Sequence, residues 1–179
     1  LGTYLSELET SWQKTGYLSK KQQERAYAQA VETLTRFYSQ AVSSSPPLYV
    51  EESFNVELAP EGITLRGRYD VVIENNGIEI RDYKTSISVK TTEKAKQRAS
   101  ASTQLTLYAL AWQLTHDDLP ARLSLQFVDT DVIGSVRKTQ KGIDGIRTRL
   151  EKAASDLKSG DFPLGTQKHS YCVHPPASE

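Results

Sequence analysis

The chain has 179 residues, 37% of them hydrophobic and 25% charged, which is enough for one domain with its own core and ordinary for a globular protein. Lys and Arg together number 22, as do Asp and Glu; this balance argues against broad nonspecific nucleic-acid binding but leaves room for a local basic groove. A single cysteine rules out an internal disulfide framework. No apolar run approaches the ~20 residues of a membrane span, and no signal peptide is visible.

Leu1 to Trp12 reads as a short amphipathic helix, with Leu5, Leu8 and Trp12 at helical spacing, broken at Gly16. Ser19 is placed to cap a long second helix whose inner stripe is Ala26, Ala30, Leu34, Phe37 and Ala41. Ser43-Ser44-Ser45-Pro46-Pro47 ends it. Three strands are then expected as a meander. In the first, Val50, Glu52, Phe54, Val56 and Leu58 share a face, and a turn follows at Ala59-Pro60-Glu61-Gly62. In the second, Ile63, Leu65, Tyr69, Val71 and Ile73 form the core face, with Thr64, Arg66, Arg68 and Asp70 on the other. Asn75-Asn76-Gly77 is a strong hairpin signal, and the third strand ends in Asp82-Tyr83-Lys84. After a polar connection, one helix is expected from about Glu93 to Thr115, continuous through Gln104, Tyr108 and Trp112. Leu123, Leu125 and Phe127 alternate as a fourth strand, Val132 to Val136 forms a short fifth, and a last helix spans about Gly142 to Lys158. This order suits an α/β (α+β) fold, a mixed central sheet with an antiparallel three-stranded meander flanked by helices. The chain opens at Leu1 and contains no methionine, which we read as a single domain cut from a longer protein.

Chemistry concentrates at the end of the third strand. Side chains two apart on a strand share a face, so Asp82 and Lys84 extend the apolar face begun by Ile78 and Ile80. An unpaired charge there is costly, so the two need a partner or a task. Asp70 ends a similar run on the neighbouring strand. Two carboxylates and a lysine on adjacent strands can hold a divalent cation and a water, the minimal equipment for metal-assisted phosphodiester hydrolysis.

Gly67-Arg68-Tyr69-Asp70, Asp82-Tyr83-Lys84-Thr85 and Gln104-Leu105-Thr106-Leu107-Tyr108 resemble, in order and spacing, three consecutive motifs of the PD-(D/E)XK nuclease superfamily, in particular its RecB-like branch found at the C-termini of helicase–nucleases. The resemblance implies a restriction-endonuclease-like core and a Mg²⁺- or Mn²⁺-dependent deoxyribonuclease, exo- or endonucleolytic, acting on a single strand or duplex end. It implies a helicase partner in the same chain or complex, a role in repair or recombination, and a prokaryotic, nucleoid-associated cytoplasmic setting without a membrane. The rival reading is a catalytically inactive module that keeps the fold for DNA binding or scaffolding.

The resemblance also assigns residues. Asp70, Asp82 and the Tyr83 carbonyl become metal ligands, Lys84 orients the attacking water, and Gln104 and Tyr108, one helical turn apart, border the site. Glu51-Glu52-Ser53-Phe54 resembles the Glu-x-x-Phe opening the family's first core strand, leaving Glu51 open between a supporting role and a solvated charge. Arg66, Arg68, Lys90, Lys94, Lys96 and Arg98 are candidate DNA contacts. The family's first helix carries Gly-Thr, two residues and a histidine, followed by Leu-Glu. Here Ser6 stands at the histidine position and Glu9 at the glutamate, so that ligand duty passes to Glu9 or to water. His169, Cys172 and Ser178 match the spacing of the cysteine tail that holds an iron–sulfur cluster in some relatives. With one cysteine, the segment 165–179 reads as a degenerate version and no cluster is expected.

Overall fold

The computed structural model describes residues 1–44, 46–58 and 62–160. Ala59, Pro60 and Glu61 of the expected turn, and the tail with His169, Cys172 and Ser178, lie outside them. Ten elements follow in order: α1 (Gly2–Ser11), α2 (Lys20–Ser43), β1 (Tyr49–Leu58), β2 (Ile63–Glu74), β3 (Ile78–Lys84), α3 (Thr92–Ala101), α4 (Thr103–His116), β4 (Arg122–Phe127), β5 (Val132–Val136) and α5 (Gln140–Ser159). The five strands form one sheet in sequence order. β1–β2, β2–β3 and β4–β5 pair antiparallel, and β3–β4 parallel. A parallel pair needs a crossover, and α3 and α4 supply it. This is the mixed sheet and meander expected from the sequence.

Local signals act where they were read. The Ser19 hydroxyl accepts the Gln22 N–H at 3.1 Å and starts α2. Asn76 and Gly77 take positive φ (51° and 105°) in the β2–β3 turn. One face of the sheet carries the core: Val72, Ile80, Leu123, Leu125 and Phe127 meet Leu105, Tyr108, Ala109 and Trp112 of α4 and Ala95 and Ala99 of α3. Ile143 and Ile146 of α5 close that layer. On the opposite face the Phe37 ring of α2 stands edge-on to Tyr83 at 5.2 Å. The same face buries Glu79, whose carboxylate is held by Arg81 at 2.9 Å and Arg122 at 3.4 Å.

The single helix expected from Glu93 to Thr115 is two helices. Ser102 leaves helical geometry (ψ 114°), and its hydroxyl caps the Leu105 N–H at 3.2 Å. The Ser100 carbonyl at the end of α3 is taken by the Lys138 ammonium at 2.7 Å, which also lies 3.4 Å from Ser102 O, the carbonyl that accepts the Thr106 N–H of α4. Burial pulls the Lys138 ammonium's pKa down. Nothing near Ser102 in sequence announces a lysine 36 positions later, so periodicity alone ran through the joint.

α3 lies against β5 at one glycine. A Cβ on Gly134 would fall on the Ala95 carbonyl group and the Lys96 amide of α3. Backbone cannot yield as a flexible side chain can, so Gly134→Ala should destabilise the protein by about 1–3 kcal/mol. A fall in the denaturation midpoint checks this; an unchanged midpoint would mean that the helix and strand separate freely.

Candidate active site

The site forms where the regular ladder of the meander stops. β2 and β3 pair from Glu74↔Ile78 to Val71↔Arg81. One step further, the Asp70 carboxylate takes the place of a strand partner: its Oδ2 accepts the Tyr83 N–H at 2.8 Å. On the other side of β2, Val50↔Val71 and Glu52↔Tyr69 pair, and Glu51 faces Asp70 without pairing. Glu51 has φ 54°, a left-handed backbone that few residues other than glycine adopt.

Both strands change face across this pair. Tyr69 packs on Tyr108 and Trp112 of α4, at 5.3 and 6.1 Å between ring centroids. Val72, three residues on, lies in the same core cluster, whereas the buried Val71 lies outside it, paired with Arg81 on the opposite face. The strict alternation expected for β2, with Tyr69, Val71 and Ile73 together, and for β1, with Val50, Glu52 and Phe54 together, is therefore corrected. Residues three apart share the core face because a matched irregularity at Glu51 and Asp70 inserts one step. Phe54 belongs to this packing. Its ring lies over Gly67, where a Cβ would strike it, and meets Tyr69 at 4.7 Å.

Asp82 and Lys84 share a face, as expected. Asp82 is 1% exposed, and Lys84 Nζ lies 2.7 Å from its Oδ2. Lys84 also donates to Gln104 Oε1 at 2.8 Å. Gln104 Nε2 donates to Tyr108 Oη at 2.9 Å, and Tyr108 Oη donates to Asp82 Oδ1 at 3.4 Å. Asp82, Lys84, Gln104 and Tyr108 thus close a ring of polar contacts between β3 and α4. Gln104 and Tyr108 reach it together because they sit one turn apart on a helix restarted at Ser102.

The electrostatics follow from burial. Desolvation raises the Asp82 pKa, opposed by the Lys84 ammonium and reinforced by the charge of Asp70. Desolvation also pushes the Tyr108 hydroxyl up to about 12, so Tyr108 stays a neutral donor. The Tyr69 hydroxyl is raised further by burial and has no hydrogen-bond partner among the described residues. Asp82 Oδ2 is enclosed with the Lys84 ammonium at 2.7 Å as its one close partner among the described residues, and burial still outweighs that partner in raising the pKa. A buried carboxylate oxygen left in that state suits a hard cation. No group of three or more His, Cys, Asp or Glu able to hold a metal occurs among the described residues. Asp70 and Asp82 offer two carboxylates, a donor set that fits a cation keeping several waters, as Mg²⁺ does.

An open cleft of about 920 Å³ adjoins Lys84, lined by Ser86, Ser88, Lys94, Gln97, Arg98 and Ser102 among others. Of the cations expected to contact DNA, Lys94 and Arg98 therefore border the site. Lys90 and Lys96 are exposed and do not line this cleft. Arg68 is paired with Glu51 at 2.7 Å and Arg66 with Asn55 at 3.3 Å, both on exposed surface. Ser6 and Glu9 lie exposed on α1, and among the described residues no hydrogen bond or ion pair joins their side chains to Asp70 or Asp82. Two features of the site had no usable signal in the sequence: the left-handed Glu51, and Lys138 at the α3–α4 joint.

A model of the PD-(D/E)XK nuclease superfamily matches residues 1–176. The chain belongs to this superfamily. No curated protein matches the chain in sequence. Among solved structures it is similar to a Eubacterium rectale protein provisionally described as an exonuclease, with 14% identity, a TM-score of 0.47, and coverage of 99% of this chain and 71% of that one. No helix among the described residues is long and apolar enough to cross a membrane.

Proposed function

We propose that this chain is a Mg²⁺- or Mn²⁺-dependent deoxyribonuclease domain of the RecB-like branch. In this reading it cuts strands delivered by a helicase in the same chain or complex during repair or recombination. The observation that carries the reading is the polar ring of Asp82, Lys84, Gln104 and Tyr108 beside Asp70. A scaffold has no need of a buried carboxylate beside a lysine held in register by two further side chains.

Asp70, Asp82 and the Tyr83 carbonyl would hold the metal, which when bound supplies charge neutralisation at the scissile phosphate and a more acidic water. Lys84 orients that water and offsets negative charge as it develops. Gln104 fixes the ammonium, and Tyr108 fixes the Asp82 carboxylate from the far side. Lys94 and Arg98 take phosphates of the bound strand along the cleft.

The inactive-module reading draws on one observation, Ser6 exposed at the position where the family carries a histidine. A cleavage assay on single- and double-stranded DNA with Mn²⁺, Mg²⁺ or EDTA separates the two. Cutting that EDTA abolishes supports the nuclease. No cutting with either metal, or cutting indifferent to EDTA, overturns it.

The cleft makes its own prediction, readable without cleavage. Lys94→Gln and Arg98→Gln should each weaken DNA binding in EDTA and lower the slope of log K against log salt by about 1. Lys96→Gln should change neither. Equal effects from all three would place the strand elsewhere.

A further inference from the structure

Glu51 sits directly opposite Asp70 in the β1–β2 register, and neither is paired in the ladder. It holds φ 54°, where the side chain is strained, and no glycine relieves it. Its carboxylate is bound to Arg68 Nε at 2.7 Å, two residues before Asp70 on the neighbouring strand. The face change of β2 occurs at this step, with Tyr69 and Val72 both packed inward. A strand of uniform pleat would put Asp70 and Tyr69 on opposite faces and continue the ladder toward β3. Instead Asp70 reaches sideways to the Tyr83 amide. We infer that the left-handed turn at Glu51, secured by Arg68, is a positioning device that turns β2 by one step and aims the Asp70 carboxylate into the fork between β2 and β3. Bulges re-aim side chains in this way. Here the irregularity is shared by two strands, so the ladder stays in register on both sides of it.

The device also explains why an exposed ion pair is kept at this point of the edge strand. Arg68 is paired with Glu51 and acts on Asp70 through it. The inference rests on the proposed role of Asp70, yet its geometry can be tested apart from catalysis. The Tyr83 amide reports the Asp70 contact through hydrogen exchange, and the Ile80 amide, inside the regular ladder, reports global opening.

Glu51→Ala keeps the steric cost of the left-handed backbone and removes the ion pair that holds it there, while Glu51→Gly removes the pair and the steric cost together. Glu51→Ala should speed Tyr83 exchange about tenfold with Ile80 unchanged, and weaken Mn²⁺ binding by calorimetry. Glu51→Gly should stay close to the parent in both. Wild-type Tyr83 exchange in Glu51→Ala would overturn the inference. So would equal acceleration in the alanine and glycine variants, because the ion pair and not the backbone turn would then hold Asp70. If the exchange pattern follows this expectation but Mn²⁺ binds in none of the proteins, the positioning device stands and the nuclease reading fails.

Discussion

Asp82→Asn should abolish metal-dependent cleavage while leaving the metal-free protein at least as stable as the parent. Asp82 is buried, and desolvation raises its pKa despite the Lys84 ammonium. A carboxyl whose pKa is raised on folding binds its proton more tightly in the folded state. Its contribution to stability is fully present below the ordinary carboxylate range and is lost as pH rises through the raised value. At neutral pH the ionised group is a liability that a bound cation would relieve, and asparagine removes the charge in a similar shape. Thermal midpoints with and without Mn²⁺ check this. The parent should gain stability on adding metal and the variant should not, and cleavage by the variant should fall to the background level. Parent-like cutting by Asp82→Asn would remove Asp82 from the site, as would an equal metal-induced rise in midpoint.

The second large effect is expected at Lys84. Its ammonium is held between Asp82 Oδ2 at 2.7 Å and Gln104 Oε1 at 2.8 Å, with 39% of the side chain exposed toward the cleft. A cation fixed at a place where negative charge develops acts on the transition state more than on the ground state. Lys84→Met should therefore lower kcat by about 10²–10³-fold with little change in KM. Lys84→Arg should not restore the rate, because a planar guanidinium does not fit the two acceptors that hold a compact ammonium. Steady-state kinetics decide. A rise in KM with kcat unchanged would make Lys84 a strand-binding residue and leave the chemistry to other groups.

The parts of this site that could be read in the sequence are those made by short-range pattern. Asp82 and Lys84 sit two apart on a strand, Gln104 and Tyr108 sit one turn apart on a helix, and the structure joins all four. The Asn76-Gly77 turn and the Ser19 cap were equally visible, since turn and cap chemistry is local. What escaped depends on contacts distant in sequence. The α3–α4 joint is completed by Lys138, which carries no mark of that task. The face change at Glu51 and Asp70 breaks the period of two on which strand reading rests, and a glutamate with positive φ looks like any other glutamate. Arg66 and Arg68 beside Asp70 are exposed, and their contacts with Asn55 and Glu51 on the neighbouring strand likewise carry no mark in the local sequence.

The close approach at Gly134 separates two demands that usually compete within one helix. α3 is seated through its backbone at Ala95 and through the buried Ala95 and Ala99, none of which carries charge or bulk. Its outward positions, Lys94, Gln97 and Arg98, are free of that duty. Side chains facing the cleft can therefore be exchanged without disturbing how the helix is mounted. Variation in strand preference among relatives built this way should accumulate on those outward positions, while the small residues beneath stay small.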